Sequence, residues 1–132
     1  MSAIQPNASI QFCLMADFRK LEVWQKSHEL MVKVHEVSRD IRGAEFLSLK
    51  SQVVRAAMSI PANIVEGRAQ PTDPLFRRYV IQAIGSASEL EYHLIAAKDI
   101  GAMAEATVTP LIKRAIQVRK MLIGLKKKLS DH

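Results

Sequence analysis

The amino-acid sequence predicts an all-α fold, namely a single-domain, antiparallel up-down-up-down four-helix bundle. Apolar residues recur at steps of three and four in four successive stretches, which is the spacing of one helix face. The links between the stretches are short, and no alternating apolar run is followed by Asn-Gly or Asp-Gly, the usual signal of a strand hairpin. Because 132 residues suffice for one core but not for two, we expect residues 17–130 to form the bundle.

Residues 1–16 lack this periodicity, so we expect a flexible N-terminal lead, with Met15 as an alternative start of the chain. The first helix is predicted over residues 18–41, with a seam that includes Leu30 and Val34, and Gly43 favours its end. The second helix is predicted over residues 45–66 and ends at Gly67. Pro61 lies inside it and removes one backbone hydrogen bond, so we expect a kink there rather than two helices.

The third helix is predicted over residues 74–100, because Asp73-Pro74 combines an N-cap acceptor with a proline at the first helical position. A patch of small residues at 85–88 favours close approach of a neighbouring helix. Thr109-Pro110 repeats the cap-and-proline signal, so the fourth helix is predicted to begin there and to run to residue 129. The seams contain many alanines and few aromatic residues, which favours oligomerisation as a way to bury more surface.

The positive charge is concentrated in the fourth helix. The chain has a net charge of +6, yet residues 106–130 contain seven bases and no acid, so the remainder is nearly neutral. One basic element on a neutral body indicates a polyanionic partner, with phosphates contacted through Lys and Arg. Few aromatic residues are present, which predicts recognition of shape and backbone rather than base stacking. The predicted nucleic-acid-binding residues are Lys113, Arg114, Arg119, Lys120, Lys126, Lys127 and Lys128, extended by Arg68, Arg77 and Arg78.

A polar stripe crosses the otherwise apolar second helix. It consists of Arg55, Ser59, Asn63 and Glu66, whose spacing places them on one face. The stripe is either a ligand or RNA site or a buried or interfacial structural network, and the structural interpretation is favoured because a desolvated charge requires a partner. In that network Arg55 would pair with Glu89 or Glu91 of the third helix, and Asn63 would satisfy a backbone group freed by Pro61.

Three motifs in order carry a family resemblance. Residues 21–26 read LEVWQK, residues 51–67 read SQVVRAAMSIPANIVEG, and residues 85–91 read GSASELE. Together they resemble a bacterial four-helix-bundle family named for proteins encoded in intervening sequences of 23S rRNA genes. The resemblance spans about residues 18–128 and departs from the family pattern at residues 42–49, where the usual proline-containing turn is lacking.

The resemblance implies a small cytoplasmic bundle that assembles as a homopentameric ring. It also implies a relationship to the accessory variability protein of diversity-generating retroelements, a basic pentamer that binds nucleic acid and a reverse transcriptase. We therefore expect a homo-oligomer, with a pentamer implied by the family, and no membrane association.

Signals for catalysis, metals and cofactors are weak. No nucleophile-elbow, P-loop or dinucleotide-binding motif is present, and no histidine is preceded three residues earlier by the glutamate that di-metal bundles require. The single cysteine, Cys13, excludes an intrachain disulfide, and no run resembles a membrane span or a secretory signal. We expect a cytoplasmic protein that is not an enzyme and that uses no cofactor or metal.

These observations predict a non-enzymatic, basic, oligomeric bundle that binds nucleic acid, in an RNA-associated or retroelement-accessory role. The alternative is a protein-interaction scaffold whose ring docks a partner enzyme without binding nucleic acid. A bundle that binds a small molecule is a third, weaker interpretation.

Overall fold

The computed structural model describes residues 17–131, which contain four α-helices and no strand. The helices are α1 (Glu22–Ser38), α2 (Leu47–Arg68), α3 (Asp73–Asp99) and α4 (Glu105–Lys128). Short 3-10 turns at Phe18–Lys20 and Ala44–Phe46 precede α1 and α2. The predicted all-α class is therefore confirmed over the described residues, and the lead predicted at residues 1–16 lies outside them.

All four helices contribute to one apolar core. Its largest fully buried side chains include Leu30 of α1, Ile60 of α2, Leu90 of α3 and Leu122 of α4. The apolar residues predicted to form the seams are buried or half-buried throughout, so the spacing of three and four identified the inward faces correctly. Consecutive helices pack against one another, and α1 also packs against α4.

The ends of α1 differ from the prediction. A 3-10 turn occupies residues 18–20 and Leu21 is extended (φ −80°, ψ 124°), so the α-helix begins only at Glu22. The helix ends at Ser38, although Ile41 is still buried. The periodic pattern overran the helix because a turn residue also packs against the core.

The two cap-and-proline signals were misplaced. The N-cap of α3 is Thr72 rather than Asp73, and its hydroxyl accepts from the backbone N–H of Leu75 at 3.4 Å. The helix α4 begins at Glu105, so Pro110 lies inside it rather than at its first position. The signal at Thr109-Pro110 failed because apolar Val108 and Leu111 bury together on one continuous helix face.

The helix α2 passes through Pro61 as a single element and continues beyond the predicted stop at Gly67. Asn63 donates its side-chain amide to the backbone carbonyl of Ser59 at 2.9 Å. This carbonyl is not the one that proline leaves free, since the missing N–H of Pro61 would have bonded to Ala57 four residues earlier. Asn63 therefore donates to a backbone carbonyl, as predicted, but that carbonyl is not the one freed by Pro61, so this part of the prediction is wrong.

Close approach of α2 and α3 occurs at Gly67. A Cβ atom there would lie 2.8 Å from both the Phe76 Cδ1 and the Tyr79 Cβ atoms. At Gly85, where the sequence predicted such an approach, a Cβ atom would meet nothing within 4 Å. The small-residue patch at residues 85–88 is thus divided, because Ser86 and Ala87 are buried while Gly85 and Ser88 are exposed.

Candidate nucleic-acid interface

The outer face of α4 carries most of the basic residues that the sequence predicted on this helix. The inward face is fixed by the burial of Leu111, Ala115, Val118 and Leu122. Because these four residues occupy one side of the helix, side chains at the intervening positions project away from the core. The exposed basic residues of α4 are therefore placed outward by the packing of the helix, whereas Arg119 is also held by a contact with Glu91.

Five of the seven predicted bases on α4 are exposed, and within residues 17–131 none of the five forms an ion pair. Lys126 is half-buried. Three of the five recur at seven-residue intervals, which corresponds to about 10.5 Å along the helix axis. We refer to the five exposed bases as the cationic stripe: Lys113, Arg114, Lys120, Lys127 and Lys128.

Arg119 does not belong to the cationic stripe. Its guanidinium donates to the carboxylate of Glu91 on α3, and both side chains are largely shielded, at 27% and 23% exposure. This ion pair neutralises a residue that the sequence assigned to phosphate binding. It also occupies Glu91, one of the two partners predicted for Arg55.

The side of the cationic stripe that faces α1 carries mixed charge. Arg114 lines one recess with Lys26 and Glu29 of α1, and a second recess with Glu29 and Glu36. These carboxylates border the stripe without pairing with Arg114 at ion-pair distance. The carboxylates of Glu29 and Glu36 therefore offset part of the charge on this side of the stripe.

The arginines outside α4 occupy three different environments. Arg68 is half-buried, with its guanidinium carbon 5.9 Å from the centroid of the Phe76 ring, and its Nε atom is buried without a hydrogen-bond partner in the described structure. Arg77 is half-buried, and Arg78 is exposed. The backbone N–H of Ser130 donates to Asp73 at 3.3 Å, which joins the end of α4 to the start of α3. Of the three predicted extensions, Arg78 is thus the one that is openly available near the end of the stripe.

The polar stripe of α2 borders a recess between α2 and α3. Arg55, Ser59 and Glu89 line it, but Arg55 and Glu89 are exposed and form no ion pair among the described residues. Within a single copy of the chain, the prediction of a buried Arg55 paired with Glu89 or Glu91 is therefore wrong, because solvent reaches both charges and no partner is required. The interfacial form of the network stays a prediction.

A smaller polar network does form at the base of this recess. The hydroxyls of Ser59 and Ser86 are 2.8 Å apart, and the amide of Asn63 donates to the Ser59 hydroxyl at 3.1 Å. This network joins α2 to α3. Glu66, the last member of the stripe, is exposed and takes no part in it.

Several features were not identified from the sequence. One is the stacking of the Trp24 and His28 rings, whose centroids are 4.9 Å apart. Another is the ion pair of Glu91 with Arg119 rather than with Arg55. Large apolar side chains are also exposed on α2 and α3, among them Met58 (50%), Ile81 (45%) and Tyr92 (64%). Periodicity identifies the inward face of each helix but does not show which outward residues of two helices meet.

Residues 17–131 contain no cluster of three metal-ligating side chains, and none of their helices combines the length and hydropathy needed to cross a bilayer.

Comparison with known proteins identifies the family. The model of the 23S rRNA-intervening sequence protein family matches residues 19–124. A crystal structure from Bacteroides thetaiotaomicron VPI-5482, described as a protein with unknown function from the S23 ribosomal protein family, superposes with a TM-score of 0.74 at 23% sequence identity. The alignment covers 80% of this chain and 98% of that chain, and it supports the fold alone. The sequence matches no curated protein. Since the match spans most of the length of this chain, the chain belongs to the 23S rRNA-intervening sequence protein family.

Proposed function

We propose that this chain is a non-enzymatic, cytoplasmic protein that binds nucleic acid, in association with RNA, through the cationic stripe of α4. The observation that carries the proposal is the exposure of five bases on one helix, without an ion pair among the described residues. Each basic side chain that neutralises a phosphate releases counterions, which supplies affinity with little dependence on the nucleotide sequence. The RNA in the family's name makes RNA the first polyanion to test.

We infer that the four helices form an antiparallel bundle and that the bundle assembles as a homo-oligomer, with a pentameric ring as the expected form. Opposite directions of α2 and α3 are supported by the contacts of Ser59 with Ser86 and of Gly67 with Phe76, since the contacting positions converge toward the link between the helices. The exposed side chains of Met58, Ile81 and Tyr92 support an interface between copies. A ring would repeat the stripe around its circumference and so provide avidity for one polynucleotide.

A protein-interaction scaffold is the second candidate. The same exposed apolar side chains on α2 and α3 would suit a partner protein, with the cationic stripe meeting an acidic surface. In that case the chain would bind one protein saturably and would show no affinity for nucleic acid at low salt.

The proposal is tested by fluorescence anisotropy with labelled RNA and DNA. The variant Lys113→Glu/Lys120→Glu/Lys127→Glu is compared with Lys20→Glu/Arg39→Glu/Arg42→Glu, which changes the net charge equally through three exposed bases outside α4. We expect the first variant to lose binding by about a hundredfold or more and the second to stay within a few-fold of the parent. Equal losses would show attraction by net charge alone, and the absence of binding by the parent would favour the scaffold.

A further inference from the structure

A shallow recess lies between Lys113 and Lys120 of the cationic stripe. It has a volume of about 420 Å³ and is lined by Lys113, Ile116, Gln117, Lys120 and Met121. All five lining residues belong to α4, so the recess is open to solvent along its outer side. The two lysines stand at either end, two helical turns apart, while the apolar side chains lie between them.

The lining suits the chemistry of a nucleobase. A base has two broad flat faces and a polar edge, whereas a phosphate is polar on every side and a sugar ring offers only a small, puckered C–H surface. Ile116 and Met121 offer an apolar surface, and a thioether packs favourably against aromatic rings. Gln117 carries both a donor and an acceptor that could pair with a base edge. Aliphatic and thioether groups would thus provide the base contact for which the sequence offered few aromatic residues.

We propose that this recess receives an unpaired base of a single-stranded polynucleotide, while Lys113 and Lys120 contact the phosphates on either side of it. The inference rests on the proposed function, because the phosphate contacts hold the strand on α4. A base within a duplex is stacked and paired, so its faces are unavailable to the recess. The site therefore prefers single strands to duplexes of equal phosphate number.

The occupant follows from the arrangement of charge. An apolar recess between two lysines that form no ion pair within residues 17–131 is complementary to an apolar group that carries an anion on each side, which describes a nucleotide within a strand. Arg119 is adjacent in the chain but is held by Glu91, so the charges that flank the recess are the two lysines.

The test compares two strands that carry the same phosphates. One is a short oligoadenylate and the other is an abasic strand of equal length, each prepared as RNA and as DNA. The variant Ile116→Asn removes the apolar surface without altering charge, and Met121→Gln does so at nearly constant side-chain length. Leu47→Asn is the matched control, because Leu47 is 68% exposed at the start of α2. Circular dichroism and sedimentation confirm that each variant keeps its fold and assembly.

We expect Ile116→Asn and Met121→Gln to weaken binding of the oligoadenylate about fivefold, to leave the abasic strand unaffected and to keep the salt dependence of the parent. The inference is overturned if the parent binds both strands equally, if the two variants weaken both strands alike, or if they change the mass of the assembly. The proposed function fails separately, when Lys113→Gln/Lys120→Gln binds either strand as tightly as the parent. Equal results with RNA and DNA would identify the base, and not the 2′-hydroxyl, as the recognised group.

Discussion

At the scale of single residues, two glycines within helices illustrate the difference between pattern and packing. The sequence predicts Gly67 as a helix stop and Gly85 as part of a close helix contact. In the structure, Gly67 lies beneath Phe76 and Tyr79 inside α2, whereas Gly85 is exposed. Composition shows where a small residue occurs, but the neighbouring helix decides whether its smallness is required.

The two glycines therefore respond oppositely to alanine. Gly67→Ala forces its new methyl group against the Tyr79 Cβ atom, which is anchored to the backbone, so we expect the free energy of unfolding to fall by about 1–3 kcal/mol. Gly85→Ala adds helix propensity where the new methyl group meets no neighbour, so we expect the free energy of unfolding to rise by about 0.5–1 kcal/mol. Urea denaturation of both variants measures the difference. Stabilisation by Gly67→Ala would show that α2 and α3 are farther apart than described.

At the scale of the helix, the seams were predictable and the outer contacts were not. Burial follows from periodicity, which is a property of one helix, and so the inward faces of all four helices were identified correctly. The partners of Arg55 and Arg119 depend on how two helices are rotated against each other. That rotation is set by the packing of the whole core, and a single sequence pattern carries little information about it.

The ion pair with Glu91 distinguishes Arg119 from Lys120, its neighbouring basic residue on α4. Lys120→Gln removes a free member of the cationic stripe, so we expect RNA affinity at moderate salt to fall about threefold to tenfold. Arg119→Gln removes the same charge from a residue already paired with Glu91, and its affinity should stay within twofold of the parent. Anisotropy titrations of the two variants under one salt condition make the comparison. An equal loss would mean that Arg119 leaves Glu91 to contact phosphate.

At the scale of the whole molecule, the exposed apolar surface bears on assembly. Ile81 and Tyr92 on α3 are 45% and 64% exposed, and burial of such side chains against another copy would be favourable. Sedimentation equilibrium is expected to give a mass several times that of the 14.8 kDa chain, five times for the ring. Ile81→Glu/Tyr92→Glu is expected to lower that mass while the helical circular dichroism signal is retained. A monomeric parent would exclude the ring and its avidity.

The central claim concerns the charge of the whole molecule and its concentration on α4. The salt dependence of binding reports the number of phosphates neutralised, because log K falls by about 0.7 per contact for a single strand for each unit of log salt. The decisive measurement is this slope for the parent and for Lys113→Gln/Lys120→Gln/Lys127→Gln, on the same single-stranded RNA. We predict that the triple variant makes the slope about 2 units shallower. An unchanged slope would place the phosphates on another surface and contradict the account.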